Sequence, residues 1–179
     1  MHPPVVIEGV RVRLRRSSPD DAPSVYRAAN HVDVMRYLDW RAHRGVDDAR
    51  AYLEGCAARW EAGNEYHWVV EHKPTRGVTG AIACRVHGHV ADFGCFIGRD
   101  HWGSGFGTEA AGLLVSWLKR QPEVLRIWAT TDHENARSAK VLVKLGLALE
   151  GVMRMATVRP NIGGLPRDTA VYACVKSGG

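Results

Sequence analysis

The stretch Trp102-Gly103-Ser104-Gly105-Phe106-Gly107-Thr108-Glu109 sets three glycines at alternate positions between a strand-like and a helix-like segment. Glycine opens backbone conformations closed to other residues and lets a ligand approach the main chain. A helix N-terminus offers amide N–H groups without intrahelical partners and a positive dipole end, which together suit a pyrophosphate. Ser104 and Thr108 add hydroxyls. On spacing alone the stretch is equally a tight strand-to-helix connection. Two nucleotide motifs are excluded. A P-loop needs a Gly-Lys pair, and the Rossmann fingerprint needs G-x-G-x-x-G after the first strand of a parallel sheet, whereas the spacing here is G-x-G-x-G after a hairpin late in the chain.

Outward from this turn, periodicity supplies the elements. Upstream, Tyr66 to His72, Val78 to Val86 and His89 to Ile97 read as three strands, the last two joined at His87-Gly88. Before them, Val10 to Arg16 alternates apolar and charged residues as a strand does. Ser18-Pro19-Asp20-Asp21 opens a helix with Ala22, Val25, Tyr26 and Ala29 on one face, and a second helix runs from about Val46 to Ala62. Downstream, Phe106 to Arg120 is helical, Val124 to Thr130 is a strand, and Asn135 to Leu145 is a helix stopped by Gly146. Leu147 to Val158 and Thr169 to Val175 close the chain as strands. The order predicts an α+β (mixed α/β) fold with a largely antiparallel sheet of about seven strands flanked by about four helices. One domain over residues 1–179, with its core at 10–176, is expected, since 179 residues suffice for one full core and no linker or repeat interrupts them.

Composition narrows the classes. Hydrophobic residues make up 45% and charged residues 24%, an ordinary globular balance. No apolar run approaches the roughly 20 residues that span a bilayer, and no apolar leader is read at Met1-His2-Pro3-Pro4, so a cytoplasmic protein with no membrane partner is expected. The net charge of +5 suits a polyanion such as the phosphates of a cofactor, but the basic residues are dispersed, which argues against a dedicated nucleic-acid surface. Cys56, Cys84, Cys95 and Cys174 form no C-x-x-C pair and no H-E-x-x-H occurs, so no metal site is expected. Cys95 lacks a base at readable spacing and is expected to be an inert buried thiol.

With these blocks in view, the sequence resembles the GNAT acetyltransferase superfamily, most closely the branch that includes the RimJ/RimL-like ribosomal-protein N-terminal acetyltransferases. Trp102 to Gly107 fits the Q/R-x-x-G-x-G/A signature, with Trp102 in the first position. Thr108-Glu109-Ala110 continues the W-G-x-G-[YF]-[AG]-T-E-A form of that branch. Asn135-Ala136-Arg137-Ser138 followed by Lys144-Leu145-Gly146-Leu147 is similar to its N-x-x-S…K-[LA]-G-F helix, and Glu150-Gly151-Val152-Met153-Arg154 to its E-G-x-x-R strand.

The resemblance implies an N-acetyltransferase carrying an acetyl group from acetyl-CoA, or another acyl-CoA such as succinyl-CoA, to a primary amine on a protein N-terminus or a small molecule. The amine would attack the thioester directly in a ternary complex. Trp102, Gly103, Ser104, Gly105, Phe106, Gly107 and Thr108 would hold the pyrophosphate, Phe96 and Ile97 would flank the pantetheine arm, and Asn135 and Ser138 would also contact the cofactor. Ser138, on the inward stripe with Val141, Leu142 and Leu145, would face the departing thiolate. Asp92 and Glu150 are the candidate bases. Asn135 is equally a helix cap. The loop Asn161 to Asp168 and the first two helices would shape the acceptor site. A homodimer through sheet edges is left open. The rival classes are a non-catalytic acyl-CoA-binding module and a basic RNA-binding protein.

Overall fold

The computed structural model describes residues 2–63 and 65–176. Eight strands form one sheet in the order β1-β2-β3-β4-β5-β6-β8-β7. They are β1 (Val6–Glu8), β2 (Val12–Arg16), β3 (Glu65–His72), β4 (Val78–His87), β5 (Val90–Ile97), β6 (Arg126–Asp132), β7 (Ala148–Val158) and β8 (Pro166–Val175). Five helices accompany them: α1 (Ala22–Ala29), α2 (Val32–Met35), α3 (Val46–Glu61), α4 (Phe106–Lys119) and α5 (Ala136–Lys144). Every neighbouring pair is antiparallel except β5 and β6. The mixed, mostly antiparallel architecture expected from the sequence is the one observed. The two elements missing from the sequence reading are β1 and the one-turn α2, each too short to print a period. Val10, expected to open a strand, lies in the turn between β1 and β2 and is exposed.

Both faces of the central strands are covered, which explains the unbroken burial from Tyr66 to Glu71 in β3. Trp68, Val70, Ile82, Phe93, Ala110, Leu114, Leu118 and Ile127 belong to the large core under α4. On the opposite face, Val69 packs with Ala22 and Val25 of α1 and Ala49 and Leu53 of α3. Burying some eight residues of Leu, Val and Trp size is worth roughly 1.5–3 kcal/mol for each side chain before the cost of ordering the chain.

The charged half of the β2 alternation is spent inside this frame. Glu71, which is buried, accepts from Arg13 Nε at 3.0 Å and from Arg15 Nε at 3.0 Å, and Arg15 Nη2 reaches Asp21 Oδ1 at 2.7 Å. Asp21 also accepts from the Ser18 backbone N–H at 2.8 Å, the capping contact expected at the first helix start.

Where β5 meets β6, the sheet opens. Only Val90, Ala91 and Asp92 pair with Arg126, Ile127 and Trp128. β5 continues to Ile97 along β4, and β6 continues to Asp132 along β8. From Phe93 to Ile97 the inner edge of β5 therefore faces no strand. At the far side of the sheet, β7 is the terminal strand, interrupted by irregularities at Leu149/Gly151 and Met153/Thr157, with Leu149, Met153 and Met155 exposed.

His67 is buried on β3, with Nδ1 2.9 Å from the Ser17 hydroxyl. Burial pushes its pKa down to about 4, with the Arg59 charge acting in the same direction. Because the folded value lies below the unfolded one, the unfolded chain binds the extra proton. The stability His67 permits is complete above pH 6.5 and is lost as the pH falls toward 4. Unfolding free energy measured in urea is expected to drop by roughly 2 kcal/mol between pH 7 and pH 5 through this residue. His67→Gln should flatten the pH profile over that window.

Candidate active site

The glycine stretch forms the link from β5 to α4. A single 3-10 turn (Arg99–His101) leads into it, Gly103 has φ 81°, and Gly105, at the cap position of α4, has φ 83°. A Cβ on Gly105 would also sit 3.1 Å from Arg11 Nη2, so both conformation and space call for glycine there. Ser104 Oγ donates to His101 O at 2.6 Å, and Trp102 Nε1 donates to Ile97 O at 2.7 Å, which ties the turn to the end of β5. The Trp102 ring lies between two cations, with the Arg99 and Arg137 guanidinium carbons 4.9 and 4.4 Å from its centroid. Thus the first residue of the turn contacts the first turn of α5, and two positive charges stand beside the α4 N-terminus.

The other side of the turn is held by Glu109. Its carboxylate accepts from the backbone N–H groups of Arg11 at 2.7 Å and Val12 at 3.1 Å, and from Arg11 Nε at 2.9 Å. Arg11 Nη1 in turn donates to Ser104 O at 2.7 Å. Burial alone would raise the Glu109 pKa, but the hydrogen bonds from Arg11 and Val12 outweigh it and hold the value below the usual range. An open depression at this place is lined by Val10, Arg11, Gly105, Thr108, Glu109 and Lys144. Free amide donors, a helix dipole and the charges of Arg11, Lys144, Arg99 and Arg137 make the region suited to phosphate groups.

β5 presents Asp92 and Phe96 on the α1–α3 face and Phe93 and Ile97 on the α4 face. Gly80 on β4 lets its end pack closely, since a Cβ there would fall 2.2 Å from Phe96 O. Asp92 is cross-strand from Arg85 and accepts from Arg85 Nε at 2.9 Å and from Nη2. Phe96 meets Trp40, with ring centroids 6.2 Å apart, and Trp40 stacks on Tyr52 and lies 5.1 Å from His43. Trp60 and Trp68 are core residues. Cys95 is not poised for attack, because burial pushes its thiol pKa up to about 12.

From the β6 side, Asn135 caps α5, its Oδ1 accepting from the Ser138 backbone N–H at 3.2 Å. The Ser138 side chain is half-buried and its hydroxyl has no hydrogen-bond partner among the described residues. Glu150 lies apart from this group. It is on the terminal strand β7, separated from β5 by β6 and β8, and its carboxylate accepts from both terminal nitrogens of Arg126. The arginine holds the Glu150 pKa below the usual carboxylate range.

The loop from Arg159 to Leu165 reaches the end of α2 and the segment between α2 and α3. Asn161 Nδ2 donates to Met35 O at 2.9 Å and Trp40 O at 2.8 Å, and its Oδ1 accepts from Ala42 N–H at 3.3 Å. Arg11, Asn161, Asp132 and Arg159 were not singled out as site residues from the sequence. The arginine, carboxylate and carbonyl partners that place them lie 27 or more residues away in the chain, beyond the reach of any local pattern. Among the described residues no group of three or more His, Cys, Asp or Glu side chains could hold a metal ion, and no helix is long and apolar enough to cross a membrane.

These features are those of an acyltransferase. The family model for the acetyltransferase (GNAT) domain matches residues 11–148, and the chain belongs to that family. It is 28% identical over 174 residues to YoaA of Bacillus subtilis (strain 168), an uncharacterized N-acetyltransferase, covering 96% of this chain and 97% of that protein. Its fold matches RimL, a ribosomal L7/L12 alpha-N-protein acetyltransferase, in complex with coenzyme A. The TM-score is 0.83 at 17% identity, over 95% of this chain and 97% of that one. It also matches the microcin C7 self-immunity acetyltransferase MccE in complex with acetyl-CoA and AMP, with a TM-score of 0.87 at 19% identity over 98% of each chain. Replacing Glu109 with alanine should lower the unfolding free energy by about 2 kcal/mol, because two backbone donors and a guanidinium lose a charged acceptor. Denaturant titration at neutral pH measures it.

Proposed function

We propose that the protein transfers the acetyl group of acetyl-CoA to a primary amine, by direct attack within a ternary complex. The observation that carries this is the opening of the sheet beyond Asp92, which leaves the inner edge of Phe93–Ile97 without a strand directly upstream of the glycine turn. Unpaired main-chain groups at such an edge need partners. The amide-bearing pantetheine arm supplies them while its pyrophosphate rests on the α4 N-terminus. The whole length of the donor then follows one continuous path along β5 and the turn, with Phe96, Ile97 and the stretch Trp102 to Thr108 beside it.

The acetyl carbonyl lies against a main-chain N–H of the freed stretch, which polarises it and stabilises the negative charge that develops on attack. The amine nitrogen approaches from the α1–α3 face, where Phe96, Trp40 and His43 lie. It forms the C–N bond as the C–S bond breaks. Ser138, on α5 with an unengaged hydroxyl, donates a hydrogen bond to the departing thiolate, which leaves as the thiol once it takes up the proton that the attacking amine gives up. Asn135 supports the arrangement by fixing the first turn of α5.

For the amine's own proton, Asp92 is better placed than Glu150. It is on β5, on the same face as Phe96, whereas Glu150 is on the outer strand β7. Since Arg85 already holds the Asp92 carboxylate, the proton passes through water rather than directly. Asp92 and Glu150 are each bound to an arginine, and this is the one feature that favours a binding module without turnover.

The deciding experiment combines a thermal-shift screen against acetyl-CoA, succinyl-CoA and CoA with thiol release over an amine panel that includes N-terminal peptides. Acetyl-CoA should raise the Tm and release CoA in the presence of an acceptor. A raised Tm with no thiol above background for any amine would replace the transferase by a binding module. Ser138→Ala should lower kcat by about 100-fold with little change in the acetyl-CoA-induced Tm shift. Gly105→Val should abolish that shift.

A further inference from the structure

Arg159, just after β7, is an anomaly among the arginines. Its side chain is only 6% exposed, yet its single charged partner is Asp132, with Nε 3.9 Å from Oδ2. That separation is beyond hydrogen bonding, and the Arg159 Nε is among three buried polar atoms left without any partner. Asp132 cannot serve it better. The Asp132 oxygens already accept from Arg167 Nε at 2.7 Å, from Arg167 Nη2 at 3.3 Å and from the Glu134 backbone N–H at 3.0 Å. Arg167 is itself shared with Glu134 at 2.6 Å. A guanidinium carries five donors and is never neutral, so a buried Nε–H with no acceptor is a cost that the fold itself does not offset.

Position gives the anomaly its meaning. Asp132 ends β6, three residues before Asn135 and on the far lip of the opening from β5. Arg159 follows β7 directly, and its carbonyl accepts from Ile162 N–H at 3.0 Å and Gly163 N–H at 3.2 Å, which closes a tight turn. Asn161, inside that turn, is bound to Met35, Trp40 and Ala42, and the Trp40 ring meets Phe96 on β5. Arg159 is therefore carried between the end of β6 and the aromatic group over β5, where an acceptor must enter.

We propose that Arg159 recognises an oxyanion on the acceptor, so that the substrate is a small amine that also bears a carboxylate or phosphate group. The inference rests on the transferase function proposed above. An oxyanion bound by the guanidinium fork supplies the charged hydrogen bonds that the protein withholds. The Asp132–Arg167 pair keeps Arg159 in place without satisfying it. A planar fork also orients the ligand, directing its amine toward β5.

The test compares acceptors of matched shape on the wild-type protein: β-alanine and O-phosphoethanolamine against the neutral β-alaninamide, with acetyl-CoA as donor. At least one oxyanion-bearing amine should exceed the amide in kcat/KM by about tenfold to hundredfold. Which one wins separates carboxylate from phosphate. Arg159→Gln should remove the preference by raising KM for the anionic amine, leaving the amide unchanged, and Arg159→Lys should keep part of it. Calorimetric titration of β-alanine and O-phosphoethanolamine into the CoA-bound protein gives a readout free of turnover, and the heat should vanish in Arg159→Gln. The proposal is overturned if wild type turns over the neutral amide or peptides as well as the anionic amines, an outcome that leaves the transferase intact. It is equally overturned if the preference survives in a folded Arg159→Gln protein. If no amine releases CoA but the anion still binds in an Arg159-dependent way, the oxyanion site stands and the transferase falls. Should Arg159→Gln not fold, the wild-type acceptor comparison decides alone.

Discussion

The parting of β5 from β6 after one short run of pairing, Val90–Asp92 against Arg126–Trp128, is the constraint on which the rest of the molecule depends. A sheet whose middle separates must satisfy two lips. On the outer sides the strands keep their partners, β4 for β5 and β8 for β6. On the inner side β5 keeps bare main-chain groups. The cost of leaving such groups without partners in a partly buried cleft is high, and a ligand lying along the lip, as proposed for the pantetheine arm, would supply the partners. The glycine turn follows at once, because the chain leaving β5 must reverse into α4 with its first amides turned to the same cleft.

Electrostatics then divides the two halves of the site. Around the turn, Arg11, Arg99, Arg137 and Lys144 gather near a helix N-terminus, and Glu109, the acid among them, is consumed by hydrogen bonds from Arg11 and Val12. The donor half is net positive by construction. On the acceptor side Asp92 is held by Arg85 and Asp132 by Arg167. Arg159 differs from these arginines, since its Nε stays 3.9 Å from Asp132 Oδ2 and has no hydrogen bond. A pocket of paired charges discriminates through the one that is left over.

How much of this is legible in the chain follows from the range of each interaction. The strands and long helices are carried by alternation and by the 3.6-residue stripe, so β3 to β5, α3, α4 and α5 are readable to within a few residues. The three-residue β1 and the single turn α2 are not. The glycine turn before α4 and the Asn135 cap of α5 are readable for the same reason, since both are local objects. Asp92 and Glu150 look alike in the sequence, as carboxylates on strands. The topology separates them, because β7 is last in the sheet and β5 is at its opening.

By itself, the sequence determined the mixed sheet-and-helix architecture, the family resemblance, and the glycine turn and capped α5 start, because those depend on contacts within a few residues along the chain. Only the tertiary structure decided where the sheet opens, that Glu109 binds β2, that Asn161 fastens one loop to another, and that Arg159 is buried beside an already occupied Asp132. Each of these depends on residues distant in the chain, and on counting which donors and acceptors remain after the backbone has folded. The acceptor half of an active site is made of such remainders.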